Sequence, residues 1–101
     1  MKLKLTGINE FRNLNIIYET KDAFITCKLI VYAVIEKNNF EVNDIELEFF
    51  LLDKMVKRKA FKELYEKLFG EDSFEIYCNK LYDLAGETAK DEFNNGNFIE
   101  L

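Results

Sequence analysis

The 101-residue sequence has no histidine, proline or tryptophan, and only two arginines, two cysteines and four glycines. Without histidine there is no Ser-His-Asp or Cys-His machinery, no imidazole metal ligand and no histidine pH switch. Cys27 and Cys78 stand 51 positions apart, with no CxxC spacing. Two thiols without histidine cannot close a tetrahedral zinc site, and neither has an evident base to make it a nucleophile. Both read as small buried hydrophobes in a reducing compartment. No long apolar run occurs either. The lowest-charge stretch, Ala23 to Ile35, is 13 residues long and contains Lys28, too short to span a bilayer. The start Met1-Lys-Leu-Lys-Leu-Thr6 alternates rather than leading into a signal-peptide core. The expectation is a soluble, cytoplasmic chain with no cofactor, no metal and no membrane partner.

What remains is half hydrophobic (49%) and one third charged (33%), with ten Phe and five Tyr. That composition belongs to one globular domain, residues 1–101, with a modest aromatic core. Twelve Lys against two Arg, with ten Asn and nine Ile, follow A/T-rich codons. The gene therefore points to a low-GC bacterium, or to a phage or mobile element living in one.

The first third reads as strand. Lys2, Lys4 and Thr6 alternate with Leu3 and Leu5, and Leu14 to Thr20 forms a second candidate after the break at Gly7 to Asn13. Lys21-Asp22 is a turn. Ala23 to Glu36 is rich in β-branched residues and reads as a buried strand, although a helix over Ala23 to Lys37 fits the same apolar run. After the loop Lys37 to Asn39, Asn43-Asp-Ile-Glu46 has the form of a capping box, and the spacing predicts a helix from Asp44 to about Lys57. The alternation Ile45-Glu-Leu-Glu-Phe49 fits a short strand instead. Lys59 to Phe69 is the clearest helix, with Phe61, Leu64, Tyr65 and Leu68 on one face and Gly70 as C-cap. A last helix opens on Asp72-Ser-Phe-Glu75, packs through Phe74, Tyr77, Cys78, Leu81, Leu84 and Ala85, and stops at Gly86. Thr88 to Phe93 adds a helical turn or two, and Phe98-Ile99 an edge strand. Strands before helices predict an α+β domain, a small antiparallel sheet with two or three helices on one face. The alternative is a small all-α bundle.

The net charge of −5 conceals an asymmetry. Residues 1–50 carry −2, residues 51–70 carry +3 and residues 71–101 carry −6. The basic segment aligns Lys54, Arg58 and Lys62 at four-residue steps, flanked by Lys57 and Lys59, a stripe suited to phosphate contacts. Four-residue pairs such as Lys62 and Glu66 make the same stripe an ordinary solvated face. The acidic third carries Glu71, Asp72, Glu75, Asp83, Glu87, Asp91 and Glu92, with Lys80 and Lys90 the only cations. Such a surface docks a basic partner and imitates the charge of nucleic acid. Phe69 and Tyr82 border it as candidate aromatic anchors.

Glu46/Glu48 and Asp91/Glu92 are the best candidates for a catalytic carboxylate pair. Such a pair needs a cleft that a 12 kDa domain rarely shapes, and adjacent acids are expected in so charged a chain. Asp91 to Gly96 has calcium-loop residue types without the spacing. The leading expectation is thus a non-enzymatic inhibitor that occludes a larger protein, a nuclease or other nucleic-acid-handling partner. In type it resembles phage-encoded inhibitors of host defence, antitoxins and toxin-immunity proteins, with no motif that selects a family. The other readings are direct nucleic-acid binding through the basic stripe, and a homodimeric accessory protein.

Overall fold

A computed structural model describes residues 1–10 and 14–97, apart from the side chain of Glu10. Five strands come first: β1 (Lys4–Glu10), β2 (Leu14–Asp22), β3 (Ile25–Glu36), β4 (Asn39–Leu51) and β5 (Lys54–Val56). Two helices follow, α1 (Arg58–Phe69) and α2 (Ser73–Asn94). The strands form one antiparallel sheet in the order β1-β2-β3-β4-β5, so each strand pairs with its neighbour in the chain. The fold is α+β, with both helices on one face of the sheet.

Alternation along the strands builds that arrangement. Leu14, Ile16 and Tyr18 of β2, and Cys27, Leu29, Val31 and Ala33 of β3, point to the helix side and are buried, as is Phe49 of β4. Phe61 from α1 and Phe74, Cys78, Leu81, Ala85 and Ala89 from α2 meet them. Phe49, Phe61 and Phe74 form an aromatic centre, with ring centroids 4.4 Å apart for Phe49–Phe61 and 5.4 Å for Phe49–Phe74. The opposite face carries no helix. Ile17, Ile30, Tyr32, Val34 and Phe50 are half-buried there among charged side chains.

The expected helix from Asp44 to Lys57 does not exist. That segment is the second half of β4, a tight turn, and β5. Ile45 and Leu47 face the core while Glu46 and Glu48 face out, and this period of two prevails over the weaker three-to-four spacing. Asn43 is not a helix cap. It lies where the β3–β4 register shifts, between Tyr32↔Asp44 and Ala33↔Val42. The turn closes at Leu52 and Asp53, both with positive φ, as do Lys37 and Asn38 between β3 and β4. Paired left-handed residues are the mark of two-residue hairpins. Ala23-Phe24, rather than Lys21-Asp22, forms the β2–β3 turn. Gly7 does not end β1, because a bulge at Thr6 carries the strand on to Glu10.

In the helical half, Gly70 caps α1 as its spacing predicts, with φ of 105° and its N–H bonded to the Glu66 carbonyl at 2.9 Å. The second capping box does not form. Asp72 is left-handed and makes no side-chain cap, while the Ser73 hydroxyl donates to the Gly70 carbonyl at 2.7 Å. Gly86 does not stop α2, which runs through it to Asn94. Of the apolar stripe expected on α1, Phe61 is buried and Tyr65 half-buried against Tyr77, but Leu64 and Leu68 stay exposed. The edge strand expected at Phe98-Ile99 lies outside the described residues.

Candidate protein-docking surface

On α2 the inward positions Phe74, Cys78, Leu81, Ala85 and Ala89 recur at three- and four-residue steps. That period sends Asp83, Glu87 and Asp91 to the opposite side, on successive turns, and all three are exposed. These are the members of the expected acidic face that the fold brings into one outward row. Lys80 and Lys90 stand beside it, one turn from Asp83 and Glu87 respectively. Glu71 is exposed at the α1–α2 turn.

The remaining members are placed differently. Glu92 sits one step beyond Ala89 on the inward period and accepts a hydrogen bond from the Tyr18 hydroxyl at 2.7 Å. It ties α2 to β2 and is half-buried, so it is not part of the outward row. Burial first, and that carboxylate second, push the Tyr18 phenol well above its ordinary value. Asp72 and Glu75 line a cleft between the helices together with Arg58 and Lys62 from the basic segment, so opposite charges share it. Tyr82 lines the same cleft and packs on the core. Phe69 is 58% exposed, its ring 4.6 Å from that of Tyr65.

The basic stripe is broken up. Lys54 is on β5, Lys57 precedes α1, and only Arg58, Lys59 and Lys62 are helical. Arg58 folds back over Phe74 and Phe49, 5.2 and 5.9 Å from their ring centres, and its Nη2 donates to Cys78 Sγ at 3.8 Å. Its guanidinium lies over the aromatic core at the edge of the interhelical cleft, while the residue as a whole stays exposed.

Both thiols are free and buried. Burial, and secondarily the Cys78 thiol, push Cys27 up to about 12. Cys78 is also raised by burial, against the opposing pull of Arg58. Such thiols are poor nucleophiles at neutral pH.

A second acidic row is one that the helix expectation concealed. Glu41, Asp44, Glu46 and Glu48 project from β4 on the side away from the helices. The Tyr32 hydroxyl donates to Glu46 Oε2 at 2.8 Å, and Asp44 Oδ1 accepts from the Ile45 N–H at 2.8 Å. The alternation Ile45 to Phe49 was its signal in the sequence.

Among the described residues no helix is long and apolar enough to cross a membrane, and no group of three or more Cys, Asp or Glu is arranged to hold a metal ion. No family model matches the chain, and comparison with curated proteins and with solved structures found no match.

Proposed function

We propose that this chain is a non-catalytic inhibitor that binds and covers the basic surface of a larger, nucleic-acid-handling protein, in the cytoplasm of a bacterium or of its phage-infected counterpart. Anti-defence, antitoxin and immunity roles all fit that description. One observation carries the reading. Asp83, Glu87 and Asp91 take no part in the core and stand in a row on the outer face of a continuous 22-residue helix. A charge row of this kind raises association rates and selects partners of opposite sign. The placing of Lys54 on β5, apart from Arg58 and Lys62 on α1, favours this reading over phosphate binding by a single helical stripe.

The test is recovery of a partner from host lysate on a tagged copy. The expected partner is a nucleic-acid-handling protein released by added duplex DNA and by salt. Replacing Asp83, Glu87 and Asp91 by Lys is expected to cut its affinity by about tenfold or more. Undiminished recovery by the triple variant overturns the proposal.

A further inference from the structure

We propose that the free edge of β4 pairs with β1 of a second copy of this chain, joining copies head to tail into one continuous sheet. The proposal does not use the α2 row and stands apart from the inhibitor reading.

Backbone direction comes first. Leu51 and Lys54 close the two-residue turn between β4 and β5, so the Leu51 amide and carbonyl face β5. Backbone groups alternate sides along a strand, so Phe49, Leu47 and Ile45 face the same way. The β5 ladder reaches only Val56 opposite Phe49. Beyond it, among the described residues, no strand faces Leu47 or Ile45. The Ile45 N–H is occupied by the Asp44 carboxylate, which leaves the Leu47 N–H, the Leu47 carbonyl and the Ile45 carbonyl at the edge. Unpaired groups of this kind are a template for another strand.

Charge identifies the strand. Across the open face one row alternates in sign: Lys4 opposes Glu19, Glu19 opposes Lys28, and Lys28 opposes Glu48. Lys57 follows Val56, the last β5 residue, which lies opposite Phe49 next to Glu48. The rows ending in Glu46 and Asp44 lie past the end of β5 and, among the described residues, meet no cation on that side. The position calls for a strand with cations on the open face and apolar residues on the helix face.

The other edge of the same sheet has that pattern. Lys2-Leu3-Lys4-Leu5-Thr6 alternates in this way, with Lys4 on the open face opposite Glu19 and Leu5 opposite buried Tyr18. Odd-numbered β1 and even-numbered β4 run in opposite directions, so a second copy in the same orientation presents β1 antiparallel to β4. One register then places Lys4 opposite Glu46, Leu3 opposite Leu47 and Leu5 opposite Ile45, with the pairing ending at the Thr6 bulge. One ion pair and two aliphatic pairs fall on their proper faces, and the alternation of sign is carried across the joint. Pairing β4 with β4 of a second copy would instead set carboxylate against carboxylate. A head-to-tail joint leaves an edge free at each end and grows beyond a dimer unless the ring closes.

The experiment is sedimentation velocity at low salt, from a few micromolar to several hundred micromolar, with amide exchange read at Leu47. Wild type is expected to associate as concentration rises, and the Leu47 amide to slow with it. Lys4→Glu alone and Glu46→Lys alone should each require at least about tenfold higher concentration to associate. Mixing the two variants, or combining both changes in one chain, should restore association, since each swap supplies the charge the other needs. The proposal is overturned if wild type stays monomeric throughout, if the single swaps associate like wild type, or if association leaves the Leu47 amide unprotected.

Discussion

The acidic rows of β4 and α2 are alike in charge and differ in what holds them. On α2, Asp83, Glu87 and Asp91 follow at four-residue steps, about 6 Å apart along the helix. Every backbone group beneath them is satisfied within the helix, so the row offers a partner side-chain charge and nothing else. On β4, Asp44, Glu46 and Glu48 follow at two-residue steps, about 6.8 Å apart. Beside Asp44 and Glu46 run backbone groups that no strand among the described residues faces. A helix row of this kind specifies sign, with the register left open. A strand row at an edge specifies sign, direction and register together.

Removing what the rows share is the strongest way to break the contrast. Phe49 is on β4 and stacks on Phe61 of α1 and against Phe74 of α2. Phe49→Ala is expected to cost about 3–5 kcal/mol, read by urea unfolding, and to impair both rows at once. A loss below about 1 kcal/mol would mean that the two layers do not depend on this aromatic centre.

Alkaline pH separates the layers more gently. The folded protein keeps the Cys27 thiol protonated up to about 12, against an ordinary value of 9.0. A raised pKa gives stability that is complete below pH 9 and is lost as pH climbs from 9 through 12. The slope is about 1.4 kcal/mol per pH unit for one such group. Tyr18 adds a loss of the same sign, starting from 10.0. Unfolding free energy measured from pH 8 to 11 should be flat at first and then fall, and Cys27→Ala should flatten the onset near pH 9.

The smallest change sharpens one side alone. Gly86 lies inside α2 with nothing within 4 Å of the position a Cβ would take. Gly86→Ala should stabilise the fold by about 0.5–1 kcal/mol, seen as a higher urea midpoint. Because it touches only the helix, association through the strand edges should be unchanged.

Much of this architecture is written locally. The alternation in β2, the β-branched run of β3, and the helical spacing of α1 ending at Gly70 all report their own structure. The segment from Asn43 to Lys57 does not, because its apolar positions satisfy both periods and only pairing with β3 decides between them. The open-face acids form a row only once that pairing is made, although the alternation Ile45-Glu-Leu-Glu-Phe49 already sets Glu46 and Glu48 on one side. Glu92 shows the opposite error. Its step from Ala85 and Ala89 marks it as inward, but a count of negative charges treats it like Asp91. Arg58 was legible only as a cation, since its aromatic partners come from distant elements.

The order of the strands in the sheet is their order in the chain, and this bears on how the molecule is made. Every strand pairing closes through the loop between chain neighbours, so the sheet is a series of hairpins with little loop entropy to overcome. The strand pairings can thus form in chain order, while the long-range contacts come with docking of the helices, α1 on β4 and α2 across β2, β3 and β4.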